Sequence, residues 1–408
     1  MQTWLRDDIK QTAQGQEADR ILRSCTHCGF CLATCPTYQL LGDERDSPRG
    51  RIYLIKQVLE GSEPTAQTQR HLDRCLTCRA CETTCPSGVE YGRLADIGRE
   101  MVEQQVPRDR ASGFKREALR QLLPRRRLFS LLLRTGQLVR KLVPGSLQEK
   151  IPVYRQAPDW PVASGHARRV LMLEGCVQPA MDPVINPQTA RLLDTLGIAV
   201  VRTPASGCCG AIDQHLGHPR TARQRMRRNI DAWWPEIEAG AEAIVVNASG
   251  CGVQVKDYGH LLADDPDYAD KARRVTELCR DPVELLQQEQ DRLEPAADAP
   301  RAIAFQSPCT LQHGQKLPGR VEALLTAIGF SLTPVTDPHL CCGSAGTYSV
   351  LQPELSKRLR SNKLANLQAG EPALIATANI GCLTHLGAAA DVPVRHWIEL
   401  VRAKEATA

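Results

Sequence analysis

The sequence predicts an α+β protein: a small α-helical module at residues 1–106, then two duplicated α/β domains, each organised by its own cysteines. Three observations carry that reading. Cysteines 25, 28, 31 and 35 recur with identical internal spacing at 75, 78, 81 and 85. A different pattern, Cys176, Cys208–Cys209–Gly210 and Cys251, returns as Cys309, Cys341–Cys342–Gly343 and Cys382, with the same 32-residue first gap. Only this second pattern is interleaved with short apolar runs and helix-like segments, which marks it as a duplicated domain.

Each N-terminal run reads C-x-x-C-x-x-C-x-x-x-C and ends on Pro36 or Pro86. A [4Fe–4S] cube needs four soft thiolates; the first three cysteines wrap three corners with one tight loop, and the fourth comes from elsewhere. In the two-cluster bacterial arrangement the last cysteine of each run reaches across to the other cluster. The expected sets are therefore Cys25, Cys28, Cys31 and Cys85 for the first cluster, and Cys75, Cys78, Cys81 and Cys35 for the second, with each proline turning the chain after its donor. Structural zinc also takes four thiolates, but through separated C-x-x-C knuckles, whereas a third cysteine with a trailing Cys-Pro is particular to the iron–sulfur loop. His27 and His71 lie near the loops and are read as hydrogen-bonding surface residues. Two adjoining clusters suit stepwise one-electron transfer, and no catalytic residue is expected in this chain.

Residues 107–165 read as a basic helical connector. Between Arg108 and Lys141 eleven Lys/Arg stand against two acids, although the whole chain nets only +5. Arg125, Arg126 and Arg127 sit among Leu122, Leu123, Leu128, Phe129, Leu131, Leu132 and Leu133. That composition belongs to interfacial helices that touch a membrane peripherally, to connectors that bury their leucines on neighbouring domains, and to docking surfaces for an acidic partner. Pro124 begins one helix or breaks a longer one. The Pro-rich segment IPVYRQAPDWPV then marks a boundary.

The duplicated domains are assigned to 166–290 and 300–408, divided by the polar, acidic segment 287–300. The runs VLMLEGC, AIVVNASGC, AIAFQSPC and ALIATANIGC read as buried strands leading into cysteine loops. Helical segments such as PQTARLLDTLG and QPELSKRLRSNKLANLQ separate them, which implies βαβ units around a mostly parallel sheet. Cysteines at strand C-termini then converge on the crevice where such folds hold ligands. Adjacent cysteines followed by glycine need a sharp turn to aim both thiolates at one centre. Cys176, Cys208, Cys209 and Cys251, and likewise Cys309, Cys341, Cys342 and Cys382, supply four soft ligands that suit a further iron–sulfur cluster or zinc equally; a metal-free cluster of buried thiols stays open. Cys279 belongs to neither repeat and reads as a small buried hydrophobe.

The N-terminus has no apolar h-region or cleavage site, so the seventeen cysteines are expected to stay reduced, in the cytoplasm. No apolar run is long enough to span a bilayer. Nucleic acid is not an expected partner, because a total of +5 comes with neither an aromatic-laced basic surface nor zinc-finger spacing.

The stretches CTHCGFCLATCPTYQLLGDERDSPRGRIYLIKQVLEG, NIDAWWPEIEAGAEAIVVNASGCG and LCCGSAGTYSVLQPEL, with ANIGCLTHL, resemble the iron–sulfur subunits of bacterial glycolate oxidases over essentially the whole chain. The resemblance implies a complex in which flavoprotein subunits oxidise glycolate to glyoxylate while this chain carries electrons toward a membrane quinone, held peripherally at the inner membrane. It implies no flavin here, and GSAG at 343–346 follows a cysteine pair instead of opening a phosphate-binding turn. One departure concerns the wider class that includes heterodisulfide reductase, whose motifs close with C-x-x-C. The flanking positions here are Ala248 and Gln254, or Asn379 and His385. The missing cysteine speaks against disulfide chemistry, and His385 is read as an ordinary helix-side histidine. The iron–sulfur subunit of another flavin dehydrogenase, acting on glycerol-3-phosphate or lactate, is the alternative within the same class.

Overall fold

The computed structural model describes residues 1–142, 148, 151–162 and 165–404. Parts of the expected connector, at 143–147, 149–150 and 163–164, and the last four residues of the second duplicated domain lie outside the described residues. The chain forms two compact units. The smaller comprises Met1–Arg120, Ile212–Pro219 and His339–Lys363, and the larger Gln121–Ala211, Arg220–Pro338 and Leu364–Ala408.

In the smaller unit, helices Ala13–Ser24, Pro48–Leu59, Ala66–Asp73 and Tyr91–Gln105 surround a core that includes Ile21, Leu22, Ile55, Leu59, Leu72, Leu94 and Ile97. Their starts are written locally: Thr12, Ser47 and Thr65 each accept a backbone N–H of the first turn, and Pro48 follows Ser47 at the position where its missing N–H costs nothing. Gly98 permits the central crossing, since a Cβ there would stand 2.5 Å from Ile55 Cγ1.

The larger unit holds two four-stranded parallel sheets. The first contains β1 (Arg168–Met172), β2 (Ile198–Val201), β3 (Ala243–Val245) and β4 (Cys279–Arg280), in the order β2-β1-β3-β4. After β5 (Leu293–Pro295), the second contains β6 (Ala302–Gln306), β7 (Ser331–Leu332), β8 (Ile375–Thr377) and β9 (Val394–His396), in the order β7-β6-β8-β9. The strand order is the same once numbering is shifted by one repeat, so the duplication is one of topology as well as of cysteines. The first sheet is covered on both faces, which explains its unbroken apolar runs. Val170, Ala243 and Val245 enter one core, and Leu171, Ile244 and Val246 another. The former core is shared by both repeats, joining Leu192 and Ile198 to Phe305, Leu324 and Trp397. The acidic stretch 287–300 carries β5, which pairs antiparallel with β10 (Val401–Ala403).

Cys251 and Cys382 differ from the loop placement expected of them. They lie in the first turns of helices Ser249–Lys256 and Ile380–Gly387, because Ala248 and Asn379 take the extended cap position just before. The basic segment forms two helices, Arg110–Leu122 and Arg126–Leu138, interrupted at Pro124.

His396 gives this fold a pH dependence. It is fully buried, its Nε2 lies 3.0 Å from the Asn247 carbonyl, and its Nδ1 accepts from Ile398 N at 3.4 Å, so the ring is neutral with its proton on Nε2. Burial pushes its pKa down to about 4. A depressed folded-state value means that the unfolded chain binds the proton first. Stability from this group is therefore complete above about pH 6.5 and drains away as pH falls toward 4, by on the order of 3 kcal/mol. The expected result is a denaturant midpoint that falls more steeply from pH 7 to pH 5 in the parent chain than in His396→Gln.

Candidate metal centres

The two N-terminal cysteine loops share a backbone device. His27 (φ 55°) and Gly29 (φ 86°) in the first, and Thr77 (φ 52°) and Arg79 (φ 60°) in the second, all take the left-handed conformation. At corresponding positions these residues curl the chain so that the intervening cysteines face inward. For the three that are not glycine the conformation costs roughly 1 kcal/mol each, a local strain typical of ligand clamps.

Two cavities result. Cys25, Cys28, Cys31, Cys81 and Cys85 line the first; Cys35, Cys75, Cys78 and Cys81 line the second, so that Cys81 borders both. Each therefore draws thiols from both runs. Cys25 feels the charge of Cys85, and Cys81 that of Cys35. Burial raises Cys25 and pushes Cys31 up to about 11, while exposed Cys28 is lowered by the Phe30 backbone N–H. Desolvation raises half-buried Cys75, but Arg51 and then Arg99 outweigh it and the thiol is lowered.

These residues fit an iron–sulfur group. Backbone N–H groups of Thr77 and Val89 point at Cys75 Sγ (3.4 Å) and Cys85 Sγ (3.5 Å), the donors expected around anionic sulfur. Tyr91 lines both cavities, and its buried hydroxyl has no nitrogen or oxygen partner among the described residues. Spacing also discriminates between metals. Thiolates on one zinc at ~2.3 Å sit about 3.8 Å apart. Among the described residues no three cysteine sulfurs lie mutually within 4.8 Å, and the one group that does is Asp43, Asp46 and His71. Two of that trio are held otherwise: the Asp46 carboxylate pairs with Arg51 (3.3 Å) and Arg74 (2.8 Å), with His71 Nδ1 3.1 Å away, and Asp43 pairs with Arg45 (2.8 Å). His71 is thus buried with a carboxylate and not a surface group.

The larger unit brings Cys176, Cys208, Cys209 and Cys251 together at the C-terminal ends of β1 and β3. Cys208 accepts from both Cys176 and Cys209 and is lowered, whereas Cys176 and Cys209 are raised by donating to it and by burial. The turn is braced by residues with no sequence signal. Asn229 Nδ2 donates to the Cys208 carbonyl (3.0 Å), its Oδ1 accepts from Gly207 N (2.8 Å), and the Tyr258 hydroxyl donates to the Cys209 carbonyl (2.9 Å). Gly210 turns the chain at φ 95°.

In the second repeat Cys309 and Cys382 lie in the larger unit, and Cys341 and Cys342 in the smaller. Asn379 Nδ2 donates to Cys382 Sγ (3.6 Å), so a position where the wider class has cysteine supports the thiol here. Gly343 takes the same left-handed turn as Gly210, at φ 88°, and its N–H donates to Cys341 Sγ (3.4 Å). His385 shares a helix with Cys382. Cys279 opens β4, fully buried, its pKa pushed up to about 12 by burial.

Cysteine-lined cavities in a helical module, followed by a duplicated α/β pair carrying further thiol sets, define an electron-carrying iron–sulfur protein. The family profile of the 4Fe-4S dicluster domain matches residues 21–89, and that of the cysteine-rich domain matches 170–256 and 303–387. The chain is 56% identical over 404 residues, 98% of each chain, to the glycolate oxidase iron–sulfur subunit of Escherichia coli (strain K12). It is 33% identical to the probable glycolate oxidase iron–sulfur subunit of Bacillus subtilis (strain 168), over 90% of this chain and 88% of the relative. Lactate utilization protein A of Bacillus licheniformis is 25% identical over 54% of the chain. The chain belongs to the family of glycolate oxidase iron–sulfur subunits.

Proposed function

We propose that this chain is the electron-carrying subunit of a glycolate-oxidising complex, taking electrons singly from flavoprotein subunits that convert glycolate to glyoxylate and passing them toward a quinone-type acceptor. The observation that carries the reading is the pair of cavities each lined by cysteines of both runs. Cys25, Cys28, Cys31 and Cys85 would hold one [4Fe–4S] cluster, and Cys75, Cys78, Cys81 and Cys35 the other. Each cluster, when bound, supplies a one-electron couple. The protein's part is to fix the sulfurs and donate backbone N–H groups to them. The domain boundaries go with this reading: a dicluster domain at 1–106, the basic connector at 107–165, and cysteine-rich domains at 166–290 and 300–408. In those last two, Cys176, Cys208, Cys209 and Cys251, and Cys309, Cys341, Cys342 and Cys382, would ligate further centres. The test is iron and acid-labile sulfide analysis with EPR on the anaerobically purified complex. Two interacting cubes and a co-purifying flavoprotein are expected; a colourless, zinc-loaded chain would overturn the reading.

Peripheral membrane contact is the finer part of the proposal. No helix among the described residues is long and apolar enough to cross a membrane. Helix Arg126–Leu138 buries no residue and leaves Leu131, Leu132 and Leu138 exposed beside Arg125, Arg126 and Arg127. Each cation near an anionic leaflet is worth about 1 kcal/mol. Replacing the three arginines by glutamine is expected to reduce sedimentation with anionic liposomes at low salt at least roughly tenfold, with the flavoprotein still recovered. Loss of the flavoprotein alone would make the segment a docking surface instead.

A further inference from the structure

The segment Ser47-Pro48-Arg49-Gly50-Arg51 places one arginine at each cysteine cavity, and the two environments differ. Arg49 lines the first cavity, is about one-third exposed and pairs at 2.8 Å with Glu44, itself 45% exposed. Its charge is therefore neutralised and screened by water. Arg51 lines the second and is 1% exposed. Its Nη1 donates to Thr37 Oγ1 (3.1 Å), which lies 3.3 Å from Cys35 Sγ, and its Nε donates to the His71 carbonyl (2.8 Å). Arg99, outside the cavity lining, adds a cation beside Cys75 by donating to the Leu72 and Cys75 carbonyls (3.0 and 2.6 Å), and Arg79 lines the cavity together with Arg51. The buried Asp46 carboxylate pairs with Arg51 and Arg74, and the mostly buried Asp96 carboxylate lies in the field of Arg99.

Reduction adds one negative charge to a cluster, and buried positive charge stabilises that state more than exposed, paired charge does. We infer that Arg51 sets the direction of electron flow: it raises the reduction potential of the cluster in the second cavity above that of the first, so that each electron comes to rest on the second. In the transfer the first cluster loses one electron and is oxidised, the second gains it and is reduced, and no bond or proton moves. A separate observation agrees with the second cluster as the exit: in the smaller unit, Arg358, on the segment that carries Cys341–Cys342, donates to the carbonyl of Leu40 (3.2 Å), five residues after Cys35.

The inference rests on the ligand sets proposed above, and the experiment separates the two. EPR-monitored redox titration is performed on the anaerobic full chain, with Cys28→Ser and Cys78→Ser assigning the signals and iron and sulfide analysis establishing the load. Fewer than two cubes in the parent chain would defeat the ligand reading itself. Given two cubes, Arg51→Gln is expected to shift the electron's distribution between clusters about tenfold toward the first, which for a one-electron couple is about 59 mV. Arg51→Lys is expected to retain the parent order, and Asp46→Asn to shift the second cluster the opposite way. If Arg51→Gln fails to load iron, the less buried Arg99→Gln reads the same quantity with the same expected sign. An unchanged gap between the potentials, equal movement of both clusters, or shifts of the same sign in Arg51→Gln and Asp46→Asn would overturn the inference.

Discussion

Cys28→Ser or Cys78→Ser is expected to stop glycolate-driven reduction of a downstream acceptor while substrate still reduces the flavin of the assembled complex. The two thiols sit at opposite cavities, so either change interrupts the same wire at a different link. Altering a partner that merely orients a metal ligand costs about 10- to 100-fold. Removing a ligand outright is expected to cost at least about 100-fold in acceptor reduction, with loss of one cube by iron analysis. Stopped-flow absorbance separates the outcomes, since flavin bleaching should keep its parent rate while dye or quinone reduction falls to background. Loss of flavin bleaching in a complex of correct composition would show that this chain takes part in the chemistry of substrate oxidation.

The loops were legible because a [4Fe–4S] corner constrains residues only three apart, a range over which sequence alone fixes geometry. That cysteines of both runs line each cavity was legible only through the repetition of the run. What surrounds them was not. Arg51, Asp46, Thr37 and His71 form one buried network across segments up to 34 residues apart, and no periodicity or spacing announces a salt bridge between a helix start and a distant turn. Asn229 and Tyr258, which brace Cys208–Cys209, look in the sequence like ordinary helix residues, because their role depends on which carbonyl the fold brings to them. The α/β repeats were readable from apolar runs ahead of cysteines, since strands buried on both faces admit little else. The β5–β10 pair was hidden, because Leu293–Pro295 lies within a polar, proline-containing stretch that reads as a linker. The grouping of His339–Lys363 with the N-terminal module is likewise tertiary and leaves no local trace.

Cys209→Ala is expected to separate a ligand from a buried thiol when set beside Cys279→Ala. Both side chains are almost wholly buried, at 3% and 0% exposure, and both are surrounded by one hydrophobic core. Removing a sulfur from either site therefore leaves a comparable small cavity, worth roughly 1–2 kcal/mol. Their chemical surroundings differ. Cys279 Sγ lies 3.9 Å from the Gly252 carbonyl, whereas Cys209 lies in a chain of thiols with Cys208 and Cys251, on a turn held by Asn229 and Tyr258. If that quartet holds a metal centre, Cys209→Ala loses binding free energy as well as packing, since metal affinity in such sites is folding free energy. The loss should then exceed that of Cys279→Ala by about 2 kcal/mol or more, accompanied by lower iron, and Cys342→Ala should behave likewise in the second repeat. Metal content and anaerobic denaturation of the three variants decide it. Equal stability losses in Cys209→Ala and Cys279→Ala, with unchanged iron in both, would make the first quartet a packed set of thiols and confine the electron path to the N-terminal clusters.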